Sequence, residues 1–583
     1  MYTNPILPGF NPDPSIIRVG RDFFLVTSTF EYTPGAPIYH STDLIKWTLI
    51  GHALTRPSQL QIQTPEPGGG IWATTLRYHD GVYYILAASF TRYRPQDDDR
   101  VWPRGFYVKT TDIWDEKSWS DPVYFDQVGF DQDLFWDDDG KVYLSSTYRK
   151  INRTPGKPIK DFAIHISTVD LATGTATSAP RLIRESASGV AEGSHIFKRG
   201  KFYYLFTAEG GTESGHSEWV CRSEVGPFGP WEVGPANPLW RNGVLDEVQN
   251  TGHADLVEDV EGRWWAVFLG VRPVRRGDYW EDSVFGRETF LAPLEWQNNW
   301  PIINSGQKIT LQNTTPALLY QYSPPIPWRD DFKAPTLQRG WYRKNTPQKK
   351  DYTLLPTQTH QGTDTDTNTN TGTLRLHGGP YTLSSPASPT LFLRKQTHRF
   401  CTWETRLSFR PESIHAEAGT AVYLNYFMYA SIGVRLEPSS HHPSPSPSIR
   451  GEGGETDTPG GKRVIRFTPR NLGAGYGVVE YPLRSATSDV VFWIECGDEY
   501  RFWFREVAAV KGEQQEEQQE EGDGDRVCVG TVSNKSLVEA PLPVGALFTG
   551  AMFGVYSVGD REAVLVPADF RYAEVKQREG YEG

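Results

Sequence analysis

The chain has 583 residues, a net charge of −12 and 13% aromatic side chains, 19 of them tryptophan. That length holds more than one domain, and an acidic balance without a basic stripe argues against a nucleic-acid partner. No run of eighteen apolar residues occurs, so no membrane helix is expected.

The first residues, Met1-Tyr-Thr-Asn-Pro-Ile-Leu-Pro-Gly9, lack a basic region followed by an apolar stretch. Two expectations follow: a cytoplasmic protein, or a secreted one whose signal peptide has been removed. Cys221, Cys401, Cys496 and Cys528 are scattered without CxxC spacing. They suggest neither a zinc site nor a disulfide framework, and leave two ordinary disulfides open. The aromatic excess leans towards a carbohydrate surface, because sugar rings stack on aromatic faces.

A strand-and-turn pattern then returns five times. It runs Arg18 to Phe30, Arg77 to Phe90, Trp136 to Tyr148, Phe197 to Ala208 and Glu258 to Gly270. The turn glycines Gly20, Gly81, Gly140, Gly200 and Gly262 are spaced by 61, 59, 60 and 62 residues. Short aromatic and β-branched strands at such a period predict a five-bladed β-propeller over residues 1–310. Outer strands echo one another too, as in Ser41-Thr-Asp-Leu44, Thr110-Thr-Asp-Ile113 and Ser167-Thr-Val-Asp-Leu171. Residues 311–327 read as a polar linker.

From Trp328 the pattern changes to longer alternating strands, such as Thr373 to Leu376, Trp403 to Phe409, Ala421 to Tyr426 and Val490 to Ile494. They predict a β-sandwich over 328–583. Three low-complexity runs, Thr363 to Thr371, Ser439 to Gly461 and Glu513 to Glu521, read as disordered loop insertions without a catalytic part.

The innermost strand of each blade lines the central channel, so equivalent positions converge there. Counting back from the turn glycines gives Asp13, Trp72, Asp131, Glu192 and His253. Three carboxyls gathered on one axis repel unless they have a task. No convincing Ser-His-Asp arrangement or thiol nucleophile accompanies them. Acid–base hydrolysis of a glycosidic bond needs one protonated carboxyl and one ionised carboxylate; a pair far enough apart to admit water inverts the anomeric centre. Asp13 could instead cap a Pro-Asp-Pro turn, and His253 is as readily a structural histidine as a ligand. Asp137, Asp138 and Asp139 imitate a calcium loop but read as turn formers.

The motifs Asn4 to Ser15, Ala191-Glu-Gly-Ser-His195, Thr251-Gly-His-Ala-Asp255 and Gly286-Arg-Glu-Thr289 resemble glycoside hydrolase family 43. The likeness is greatest to its two-domain β-xylosidases and α-L-arabinofuranosidases, whose C-terminal, concanavalin A-like sandwich Ser388 to His398 also resembles. The resemblance implies Asp13 as general base, Glu192 as general acid and Asp131 as the group that orients and tunes the acid. It implies Arg287 as a sugar-binding arginine, with Phe30 and Trp72 as walls of the innermost subsite. His253 would lie at the channel floor, beside a bound calcium in some members, and no cofactor is required. A loop from the sandwich would close one end of the channel. Two departures stand out. The usual Trp-Ala-Pro is Trp72-Ala73-Thr74, and the usual Ile-Asp-Pro-Ser is Phe130-Asp131-Gln132-Asp133, which makes Asp133 a rival to Asp131.

The expected activity is inverting, exo-acting release of terminal pentoses, D-xylose or L-arabinofuranose, from xylooligosaccharides or arabinoxylan. Alternatives are an arabinofuranosidase restricted to arabinoxylan and a catalytically silent carbohydrate-binding propeller. Neither the sugar preference nor the oligomeric state can be read from the residues.

Overall fold

A computed structural model of the chain describes residues 2–91, 103–150, 161–313, 327–356, 372–437, 461–470, 477–507, 525–539 and 548–578. The three low-complexity runs (all but Gly461) and residues 314–326 of the expected linker lie outside them. Strands dominate the described residues; one short helix, Asn534–Val538, and one 3-10 turn accompany them. The fold is a five-bladed β-propeller with a concanavalin A-like β-sandwich.

The chain divides into two units. The first takes residues 1–323 together with 395–397 and 542–551; the second takes the rest. The propeller also runs past residue 310, because Gln312–Asn313 pairs with Tyr2–Thr3.

Each blade is an antiparallel sheet. The innermost strands are Ser15–Val19, Gly70–His79, Phe130–Trp136, Ala191–Arg199 and Gln249–Glu258. Bulky residues fill the space around the blades, and Trp119 and Trp265 are fully buried there. Many tryptophans serve core packing, and among the described residues Trp72 is the tryptophan that lines the channel pocket.

Every innermost strand has the same irregularity where it approaches the channel mouth. Residues 73 and 74 together oppose residue 87, and the same two-to-one opposition recurs at 131–132, 193–194 and 253–254. In the first blade the Ser28 N–H donates to the Pro12 carbonyl and Ser15 pairs with Val26, so 13–14 oppose 27. These are β-bulges whose first residue is left-handed: φ is 53° at Asp13, 37° at Ala73, 53° at Asp131, 57° at Gly193 and 57° at His253. A left-handed non-glycine residue costs about 1–3 kcal/mol and persists only where its surroundings hold it.

The bulges correct the register counted from the turn glycines. Hairpin loops span two residues in blades one, two and four, and five in blades three and five. The glycine therefore occupies a different place in different loops. The equivalent residues are Asp13, Ala73, Asp131, Gly193 and His253; Trp72 and Glu192 lie one position earlier, level with Phe130. A bulge lets consecutive residues face one side, so Trp72 and Ala73, like Phe130 and Asp131, line the same pocket. Thr74 is the second bulge residue, equivalent to Pro14, which accounts for its place in the departing motif.

Two residues further along, the strands close the channel with a polar layer. Arg77 ion-pairs with Asp133 at 2.7 Å and Asp255 at 2.8 Å, and its Nη2 lies 2.8 Å from His195 Nδ1. Ser15 donates to Asp255 at 2.5 Å. Asp133 thus belongs to this layer and not with Asp131. Both carboxylates are almost wholly buried, and one guanidinium is shared between them, with Ser15 and the Ile16 and Ile196 N–H groups also donating to their oxygens.

In the second unit, Cys401–Ser408 alternates buried and half-buried residues, as a sheet with one covered face requires. Its Trp403 stacks on Trp328 and Phe553 and donates to Thr420 Oγ1 at 2.8 Å. All four cysteines are free thiols.

Replacing Arg77 by Leu leaves Asp133 and Asp255 buried without their cation. The variant should lose about 3–5 kcal/mol of stability, read as a lower urea midpoint of the propeller transition.

Candidate active site

The bulged ends of the inner strands surround a cavity of about 410 Å³ in the first unit. Asp13, Phe30, Trp72, Asp131, Glu192, His253 and Arg287 all line it. Every site residue expected from the sequence therefore meets in one pocket. Asp13 enters from the Pro-Asp-Pro turn before the first strand. Phe30 is fixed by paired backbone bonds with Ile71, each 3.0 Å, and Arg287 immediately precedes the strand Glu288–Gln297.

One side of the pocket is cationic. Arg287 Nη1 donates to Asp13 Oδ1 at 3.1 Å and to Thr212 Oγ1 at 3.1 Å, and Nη2 donates to the Phe548 carbonyl at 3.3 Å. Its guanidinium carbon lies 5.2 Å from the ring centres of both Phe30 and Phe548, whose rings stack 5.4 Å apart. His253 Nδ1 is 3.5 Å from Asp13 Oδ1. Burial pushes the Asp13 carboxyl up, but Arg287 and then His253 outweigh it and hold the group well below the usual carboxylate range. Burial alone would lower His253; its bond to Asp13, with the charges of Asp131 and Asp13, raises it to about 9.

Glu192 has the opposite surroundings. Burial first, then the charge of Asp131, raises its carboxyl to about 8. Asp131 is raised as well, by burial foremost and by Asp13, against the pull of His253. The Gly193 N–H donates to Asp131 Oδ2 at 2.8 Å, so Asp131 fixes the backbone beside Glu192 as well as its electrostatics. Gly193 is required there: any Cβ would lie 2.8–3.1 Å from the His253 ring, at a positive φ. Near neutral pH Asp13 is therefore ionised and Glu192 protonated.

The remaining wall is aromatic. Trp72 packs edge-on against Phe90 at 4.7 Å and Phe130 at 5.5 Å, and Phe130 against Phe162 at 5.2 Å. Trp72 Nε1 is held by the Gly68 carbonyl at 2.8 Å.

Sequence reasoning missed several residues. Thr212 and His216 lie in the glycine-rich stretch Gly210 to His216, whose composition marked a loop near the acid's blade. His216 bonds the Asn250 carbonyl, and burial lowers it to about 4, so it is neutral. Glu218 is wholly buried, accepts from the Ala254 N–H at 3.1 Å, and is raised by burial to about 8. Phe548 carried no local signal. Its segment counts with the first unit, where the Ala551 N–H donates to the Val284 carbonyl at 2.7 Å.

The surroundings of His253 do not suit calcium, which takes six to eight oxygen ligands. Asp13 and Asp131 are engaged by Arg287 and the Gly193 amide, and the His195 ring, 6.0 Å away, abuts the Arg77 guanidinium. Among the described residues no group of three His, Cys, Asp or Glu side chains could hold a metal ion. Asp137 and Asp138 are taken up by Lys198, each at 2.8 Å.

The model of the family Glycosyl hydrolases family 43 matches residues 2–301, and that of the Beta xylosidase C-terminal Concanavalin A-like domain matches 329–576. The chain is 33% identical over 580 residues to the Non-reducing end alpha-L-arabinofuranosidase BoGH43B of Bacteroides ovatus, covering 99% of this chain and 94% of that protein. It is 35% identical over 435 residues to the Xylan 1,3-beta-xylosidase of a Vibrio species, covering 72% and 76%. Among solved structures, the xylan beta-1,4-xylosidase from Bacillus halodurans superposes with a TM-score of 0.81 at 28% identity, over 99% of this chain and 100% of that one.

Replacing Asp13 by Asn removes the main influence that raises His253 and leaves burial, which lowers it, opposed by the charges of Asp131 and Glu218. The His253 titration, followed by NMR of selectively labelled protein, should move from about 9 to lower pH.

Proposed function

The chain belongs to glycosyl hydrolase family 43 and is a glycoside hydrolase; on that premise we propose that it removes single pentoses, β-D-xylose or α-L-arabinofuranose, from the non-reducing ends of xylooligosaccharides or arabinoxylan. The observation that carries the mechanism is the electrostatic split between two carboxyls in one pocket: Asp13 held ionised, Glu192 held protonated. Hydrolysis with inversion needs that pair.

In the proposed step, Asp13 accepts a proton from a water whose oxygen bonds to the anomeric carbon. The bond from that carbon to the leaving oxygen breaks, and Glu192 supplies the proton that completes the leaving hydroxyl. Burial, helped by the charge of Asp131, keeps Glu192 protonated, and Asp131 anchors the acid's backbone at the Gly193 amide. Arg287 keeps Asp13 ionised and aligned, and its remaining N–H groups face the hydroxyls of the bound sugar. The family's chemistry needs no cofactor.

Two features support a pentose. The aromatic wall of Trp72, Phe90 and Phe130 offers apolar surface where a hexose would need a partner for its hydroxymethyl group. The relatives are named for releasing xylose and arabinose. The cavity, small for an extended chain, supports exo action.

Hydrolysis of aryl β-D-xylopyranoside and α-L-arabinofuranoside should be measured beside Glu192→Ala, with proton NMR of the first-formed sugar. A fall in kcat/KM of about 10²–10⁴ in the variant, with inversion, is expected; retained configuration would overturn the two-carboxylate route. Glu192 is protonated below about pH 8 and ionises as pH rises through it. The rate should therefore fall on the alkaline side with an apparent value near 8 that belongs to the Glu192–Asp131 pair. The lowered Asp13 places the acidic limb below about pH 4.

A further inference from the structure

The sandwich has a second cavity, of about 290 Å³, on its six-stranded sheet. Neighbouring strands place alternate side chains on this face. Tyr429 and Ser431 come from Met428–Leu436, Arg466, Thr468 and Arg470 from Arg463–Arg470, and Glu417 from Ala416–Asn425. The register sets Ser431 against Thr468 and Tyr429 against Arg470. Glycine makes the floor: Gly433 pairs with Gly419 and Arg466, and a Cβ on Gly433 would collide with the Tyr556 hydroxyl.

Tyr556 donates to Glu417 Oε1 at 2.6 Å, which engages the carboxyl away from the arginines. Glu417 Oε2 lies 3.9 Å from Arg466 Nη1, at the outer edge of ion pairing. Among the described residues no carboxylate is within ion-pair distance of Arg470, and the Nε atoms of Arg466 and Arg470 have no hydrogen-bond partner. Three arginines, Arg435, Arg466 and Arg470, thus line this hydroxyl-bearing cavity against two carboxyls, Glu417 and Asp560, and Arg470 has no ion pair among the described residues.

We infer that this cavity binds an acidic sugar, with the carboxylate of a uronic acid unit against Arg466 and Arg470 and its hydroxyls on Ser431 and Thr468. A planar guanidinium matches a carboxylate with two parallel hydrogen bonds, and the volume suits one sugar ring. The choice of a sugar over another carboxylate rests on the glycan-directed activity proposed above. The site would hold a uronic-acid-decorated chain by its branch, apart from the pentose that is cleaved.

The test is calorimetric titration of the full-length protein with sodium D-glucuronate, beside D-xylose and inorganic phosphate, repeated on the Arg466→Ala/Arg470→Ala double variant. Saturable glucuronate binding that weakens at least tenfold in the double variant, while aryl-pentoside hydrolysis and Tm stay unchanged, is the expected result. Absence of saturable glucuronate binding, or equal affinity in the double variant, overturns the site; so does a cavity that takes phosphate but not glucuronate. Should the double variant misfold, Thr468→Tyr fills the cavity from a half-buried position and must abolish the same binding. The hydrolysis assay reads the propeller separately, so failure of one reading is distinguishable from failure of the other.

Discussion

In every blade the innermost strand carries one residue too many where it reaches the pocket, and that residue is left-handed. A regular strand would send consecutive side chains to opposite faces. The bulge breaks that rule at this level in each blade (the fifth strand carries a second one at 250–251), so Phe130 and Asp131, or Trp72 and Ala73, face one cavity together. It recurs at the same place in each blade, so the chemistry lies at one level of the channel and the layer around Arg77 at the next. Strain at Asp13, Asp131 and His253 is held by the sheets on either side, and Gly193 relieves it where the His253 ring leaves no room for a side chain.

Burial governs the electrostatics built on that frame. Taken from water, each carboxyl would protonate; what distinguishes them is the partner each finds. Asp13 has Arg287 and His253 and stays ionised, whereas Glu192 has Asp131 and stays protonated. Asp131 is linked to both members, since its charge raises Glu192 and also helps keep His253 cationic beside Asp13. In the lower layer Asp133 and Asp255 instead share one guanidinium, that of Arg77.

Much of this was legible before the fold was known, and the exceptions have identifiable causes. The five-fold period found the blades because each needs a short apolar strand and a tight turn, and counting back from those turns brought out Asp13, Asp131 and Glu192 as carboxyls near one level of the channel. The glycine count placed Trp72 and Glu192 one position out of register because hairpin loops of two and five residues both contain a glycine. Asp133 could not be separated from Asp131 without the bulge, which puts them in different layers. Tryptophan content pointed to a sugar surface, yet large side chains such as Trp119, Trp265 and Trp403 are consumed by packing.

Local pattern, repeat length and residue chemistry were enough to determine the architecture, the pocket-lining carboxyls and the acid–base class of the reaction, because propensity and periodicity are written in neighbouring residues. The tertiary structure alone decided which carboxyl is ionised, that Arg77 plugs the channel, and that Phe548 stacks on Phe30 over Arg287. Those outcomes depend on burial and on contacts between residues far apart in the chain, and no local pattern encodes either.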